Sequence, residues 1–171
     1  KAQAVQSPRW DATVRQGIND FIAAYGKDSP NYDKNNHPYA VFDFDNTTSI
    51  LDVGEQLEVW QLDHLQFAVP PTQMKSVLMT GIPADKLDAI RAAVSYFKVP
   101  GVKDVLAMTN KVDANGRYLN QYDYDLHPQT QGVGKAETLA KILVPKYKGH
   151  GPSFTAMDSQ GDFNFCTEFK D

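Results

Sequence analysis

Apolar positions along the chain fall into short clusters with two kinds of spacing. Trp10, Val14, Ile18, Phe21, Ile22 and Tyr25 recur at steps of three and four, the spacing of one helix face. Ser7-Pro8 ahead of them reads as a helix start, with Ser7 as cap and Pro8 in the first turn, and Gly26 marks the end. Residues 27–38 are rich in Asn, Asp and Pro and predict a loop. Tyr39-Ala40-Val41-Phe42 is an uninterrupted apolar run, the pattern of a strand buried on both faces in a parallel sheet. Helical spacing returns over residues 52–67, through Val53, Leu57, Trp60, Leu62 and Leu65, until Pro70-Pro71 breaks it. Residues 72–79 fit a helix or a short strand. Residues 84–97 are helical again, with Leu87, Ile90, Ala93, Val94 and Phe97 on one side.

The second half repeats the alternation. Residues 104–108 and the stretch after them up to Tyr118 predict a strand and a turn around Asn115-Gly116. Residues 121–134 predict a polar loop, residues 135–143 a helix, and residues 153–157 another short strand. Strands alternating with helices predict an α/β fold with a mainly parallel sheet.

Composition narrows this only a little. At 171 residues the chain is long enough for one domain with its own core, or a domain with a small appendage. A net charge of -4 argues against a protein built to grip nucleic acid or an anionic membrane. It does not argue against a small phosphorylated substrate, because a bound cation reverses the local sign. No apolar run approaches the about 20 residues of a membrane span. With Cys166 as the one cysteine, no intrachain disulfide can form. Cys166 reads as a small core filler rather than a nucleophile. The four histidines are scattered without metal-ligand spacing. The chain begins at Lys1; export followed by signal cleavage gives the expectation of a periplasmic or secreted protein, with a cytoplasmic one as the alternative. Oligomeric state is not legible.

Two predicted strands end in carboxylates. Asp43 and Asp45 follow the first, and Asp158 and Asp162 follow the last. Ligands of open α/β sheets bind beyond the carboxyl ends of the strands, so parallel neighbours would bring all four together. Converging carboxylates repel one another unless a cation sits among them. Oxygen donors with solvent access suit Mg²⁺. Lys135 follows Gly132-Val133-Gly134 at a predicted helix start, where a cation works against the helix dipole, which favours a functional reason for it. An anionic nucleophile, a metal and a cationic clamp are the parts that phosphoryl transfer needs.

Three stretches carry a family resemblance. Asp43-Phe44-Asp45-Asn46-Thr47 after a strand resembles the first motif of the haloacid dehalogenase (HAD) superfamily. Gly132-Val133-Gly134-Lys135 resembles the third-motif lysine at the head of a helix. Residues 154–165, with Asp158 and Asp162, resemble the fourth motif. The finer match, over residues 43–69 and 105–119, is to the phosphoserine-phosphatase-like branch and to exported bacterial phosphatases of the phosphorylcholine-phosphatase type.

The resemblance implies a Rossmann-like core from residues 1–50 and 84–171, with residues 51–83 as a helical cap segment inserted after the first strand. It implies a Mg²⁺-dependent phosphomonoesterase acting through an aspartyl-phosphate on a small, phosphocholine-like metabolite. Asp43 would attack phosphorus, and Asp45 would act as acid and then base. Lys135 would neutralise the phosphorylated aspartate. Asp43, Asp45 through its backbone carbonyl, and Asp158 would hold the metal, with Asp162 supporting it through waters or through Lys135. The alternatives are a catalytically silent HAD-like metal- or ligand-binding protein, and another HAD phosphotransferase such as a sugar-phosphate phosphatase.

One part of the pattern is missing. The family's second motif is an apolar strand ending in a phosphate-binding Ser or Thr. Thr80, after Ser76-Val77-Leu78-Met79, is the first candidate and Thr109 the second. The gap leads to the expectation that a segment near Thr80–Asp88 has been lost from a longer chain, and that more is lost after Asp171.

Overall fold

The computed structural model describes residues 4–52, 56, 59–60, 63–64, 86–115, 117–125 and 128–169. Among them the architecture is mixed α/β, with a small parallel sheet of two strands and one antiparallel hairpin.

Helix α1 spans Ala12–Tyr25. It starts later than the Ser7-Pro8 signal implies. Asp11 is the cap instead: its carboxylate accepts from the backbone N–H groups of Thr13 at 2.9 Å and Val14 at 3.1 Å. An ionised acceptor at a helix start satisfies orphan amides and meets the positive end of the dipole, which a remote serine cannot do. Ser7 Oγ only accepts a 3.4 Å bond from the Arg9 amide, closing a turn.

Strand β1 (Ala40–Phe42) pairs in parallel with β4 (Phe154–Ala156), Ala40 opposite Phe154 and Phe42 opposite Ala156. The pairing continues to the first acid, since the Asp43 amide donates to the Ala156 carbonyl at 3.0 Å. Side chains alternate across a strand. Tyr39 and Val41 face a core of Ala136, Leu139, Leu143 and Phe165. On the opposite face the Phe42 and Phe154 rings lie 5.8 Å apart, and Phe21 of α1 meets Phe154 at 5.8 Å. Helices therefore cover this sheet from both sides.

A second core joins helix α2 (Lys86–Tyr96) to the first acidic motif. Leu87 and Ile90 bury against Ala107, with Phe44, Val94 and Val105 packed around them. Val105 and Ala107 belong to this cluster, while Leu106 between them packs on the other. That two-residue alternation is what an extended segment between two apolar layers produces. The strand expected within residues 104–118 forms in the later part of that stretch. Strand β2 is Asn110–Val112, antiparallel to β3 (Tyr118–Tyr122). A run becomes a strand only where a partner answers its amides, and the reversal closed by the Asp113 amide on the Arg117 carbonyl supplies that partner to Asn110–Val112. The expected loop from residue 121 consequently starts inside β3.

Helix α3 (Val133–Thr138) opens two residues before the expected start. It continues as a π-helical turn, Leu139–Leu143, and a further helical turn, α4 (Val144–Lys146). Helix α5 (Phe163–Thr167) follows a 3-10 turn at Gln160–Asp162. Cys166 is half-buried against the first core, as expected of a filler. No helix among the described residues is long and apolar enough to cross a membrane. Of the expected cap segment, residues 56, 59–60 and 63–64 are helical, in keeping with the helix expected there, and most of the rest, Thr80 included, lies outside the described residues.

Candidate active site

The parallel pairing of β1 with β4 sets two acidic loops side by side. Beyond β1, Asn46 adopts a left-handed φ of 56°, which Asn tolerates better than most residues, and the chain turns back at once. The Thr48 and Ser49 amides donate to the Phe44 carbonyl at 2.9 and 2.8 Å, and Thr48 Oγ1 donates to the Asp43 carbonyl at 2.7 Å. These bonds close a tight loop that carries Asp43 and Asp45. Beyond β4, Asp158 enters the turn that ends in Asp162.

One carboxylate oxygen from each of Asp43, Asp158 and Asp162 lies within 4.8 Å of the others. Asp158 is exposed, Asp43 half-buried, and Asp162 buried at 2% exposure. Lys135, the third residue of α3, joins two of them. Its Nζ donates to Asp43 Oδ1 at 2.6 Å and also to Asp162 Oδ1. The second oxygen of Asp162 accepts from Ser159 Oγ at 3.0 Å. The Phe165 ring stands 5.7 Å from the ammonium and walls it from below.

Burial alone would push the Lys135 ammonium down. Its hydrogen bonds to Asp162 and then Asp43, together with their charges, outweigh that desolvation, so its pKa stands above the ordinary lysine value. Lys135 is therefore a fixed cation throughout the neutral range.

Two glycines aim this lysine. Gly132 has φ 56° and ψ -132°, which a residue with a Cβ adopts only under strain. Its amide donates to the Gly161 carbonyl at 2.8 Å, tying the start of α3 to the turn that carries Asp162. Gly134 is buried, and a Cβ there would collide with the Gln129 backbone carbonyl. Since that obstacle is backbone, Gly134→Ala should destabilise the fold by about 1–3 kcal/mol and displace α3. Urea denaturation measures the effect; a loss below about 0.5 kcal/mol would mean that the 129–134 loop yields freely.

The expected site residues thus meet unevenly. Asp43, Asp158, Asp162 and Lys135 converge. Asp45 lies on the same loop as Asp43, half-buried, and its carboxylate is not part of the three-acid group. Thr80 falls outside the described residues. Thr109 is buried at 8% exposure at the end of the extended run, and its carbonyl accepts from the Asp123 amide at 2.8 Å. Two hydroxyls had no assigned role in the sequence reading. Ser159 bonds Asp162, and its spacing of three residues from that acid was the available signal. Thr47 Oγ1 is buried on the Asp43 loop with no hydrogen-bond partner among the described residues.

Comparison with known proteins finds no matching family model, no matching curated protein and no matching solved structure.

The donor set fits a hard cation. Three carboxylates within one ion's reach supply oxygen only, and exposed Asp158 leaves room for the waters that Mg²⁺ keeps. Asp43 and Asp158 are the two with coordination capacity to spare, because both oxygens of Asp162 already accept hydrogen bonds.

Proposed function

We propose that the chain is a Mg²⁺-dependent phosphomonoester hydrolase of HAD type, working through an aspartyl-phosphate on a small phosphorylated metabolite. One observation carries the reading. Lys135, 92 residues from Asp43 in sequence, bridges it to Asp162 beside Asp158, so nucleophile, cation and metal-binding acids share one site. The three-motif resemblance to the HAD superfamily supports it.

In this reading Asp43 attacks phosphorus with the oxygen that Lys135 does not hold. The ester oxygen departs with a proton from Asp45. Asp45 then takes a proton from water, whose oxygen attacks the phosphorylated Asp43 and releases inorganic phosphate. Lys135 has three N–H donors. Two hold Asp43 and Asp162, and the third would serve a phosphoryl oxygen, where a charge-assisted bond would strengthen as charge builds. Asp43 and Asp158, supported by Asp162, would hold Mg²⁺, which would supply charge neutralisation for the transferring phosphoryl group. The resemblance implies a cap segment over residues 51–83, and its finer part favours a phosphocholine-like ester over a sugar phosphate.

The test is hydrolysis of p-nitrophenyl phosphate. Turnover should require Mg²⁺, stop on adding a chelator in excess, and return when Mg²⁺ is restored. Turnover indifferent to the chelator would overturn the metal assignment. No turnover of any phosphate ester by the Mg²⁺-loaded full chain would leave a silent HAD-like binding protein as the better reading.

A further inference from the structure

Ser159 occupies the cap position of the Gln160–Asp162 turn. A serine there ordinarily accepts a backbone N–H with its hydroxyl oxygen. Ser159 makes no such side-chain bond. Its hydroxyl instead donates to Asp162 Oδ2 at 3.0 Å, while Lys135 donates to Oδ1 of the same carboxylate. The backbone repeats the tie, the Asp162 amide donating to the Ser159 carbonyl at 3.2 Å. Asp162 is buried, so both of its oxygens depend on protein donors.

From this geometry we infer that Ser159 is a positioning residue for the Lys135 ammonium, acting through Asp162. A carboxylate turns easily about its terminal torsion, which is broad and nearly two-fold. One donor on one oxygen leaves that rotation open, and a second donor on the other oxygen closes it. The lysine needs such an anchor. Its ammonium is a point charge on a flexible stem, and the Phe165 ring supplies a wall without fixing a direction. With Asp162 held in one plane, Lys135 stands over Asp43 in one place, and misplacement by about 1 Å in such a site can cost about a hundredfold in rate. The catalytic consequence rests on the phosphatase reading; the positional one does not.

The experiment compares Ser159→Ala and Ser159→Thr in ¹⁵N-lysine-labelled protein, alongside steady-state kinetics on p-nitrophenyl phosphate with Mg²⁺. A half-buried, doubly paired ammonium exchanges its protons more slowly than a free one and gives its own NMR signal, assigned to Lys135 by its loss in Lys135→Met. Ser159→Ala should broaden and shift that signal. It should also lower kcat by about tenfold to a hundredfold with KM changed by less than about twofold. Ser159→Thr, which keeps the hydroxyl, should preserve both. An unchanged Lys135 signal with unchanged kcat in Ser159→Ala would overturn the inference. If the unmutated chain has no phosphatase activity, the phosphatase reading falls and the Lys135 signal alone decides for or against Ser159. If Ser159→Ala does not fold, Ser159→Val takes its place, since it matches the threonine in shape and lacks only the hydroxyl. A Lys135 signal equal in the Val and Thr variants would be equally fatal.

Discussion

Asp43→Asn should abolish turnover of p-nitrophenyl phosphate, lowering kcat at least about a thousandfold while leaving the chain folded. The amide nitrogen cannot serve as the nucleophile, and the amide oxygen is too weak a one to form the phosphorylated intermediate. The fold should survive because the same oxygen still accepts from Lys135, replacing the 2.6 Å ion pair with a neutral-acceptor bond. The substitution also removes one of three negative charges gathered within 4.8 Å, relieving repulsion in the metal-free protein. Stability measured in chelator should therefore change by less than about 1 kcal/mol. Mg²⁺ should raise the melting temperature of the unmutated chain and do so much less in the variant, because a ligand stabilises only the state that binds it. Retention of more than about a tenth of the activity would remove Asp43 as the nucleophile.

The acids and the lysine were legible in the sequence because each follows a local signal. Asp43 and Asp158 end short runs that read as strands, and the parallel β1–β4 pairing sets their loops side by side. Lys135 was legible because a cation in the first turn of a helix, behind two glycines, has no structural reason to be there. Ser159 was visible as a residue and invisible as a role. Nothing in a serine three positions before an aspartate says whether it caps a backbone or holds a carboxylate. The Phe165 wall was not legible either, because its contact with Lys135 arises from the packing of α5 under α3, between residues 30 positions apart in the chain. The strand expected within residues 104–118 was legible as an element but not in its placement. Val105, Leu106 and Ala107 divide alternately between two cores, yet the ladder forms at Asn110–Val112. Ladder formation depends on a neighbour that the alternation does not encode. Ser7 failed as a cap because proximity of a proline outweighed the stronger acceptor, Asp11, one residue ahead of the helix.

Lys135→Met should destabilise the fold by about 3 kcal/mol, near the lower end of the range for breaking a buried ion pair. The lysine side chain is 22% exposed and those of Asp43 and Asp162 13% and 3%, so water screens the group incompletely. Methionine matches the stem and keeps contact with Phe165, which leaves loss of charge as the main change. What remains is three carboxylates facing one another without the ammonium that bridged two of them. Magnesium should then recover more stability in Lys135→Met than in the unmutated chain, while kcat stays at least about a hundredfold down, because the ion neutralises the acids but donates no hydrogen bond to the phosphoryl group. The pH dependence follows from the raised lysine pKa. Burial lowers it, and the bonds to Asp162 and Asp43 more than reverse that. A group whose pKa is higher folded than unfolded stabilises fully below the unfolded value, about 10.4 for lysine, and loses that contribution as pH rises through the folded value. In chelator, the stability gap between the two proteins should therefore be the same at about pH 7 and about pH 9, and should close only in more alkaline solution. Urea denaturation at those two values decides it. A gap that halves by about pH 9 would mean that Lys135 titrates below its ordinary range, and that desolvation rather than the two carboxylates sets its charge.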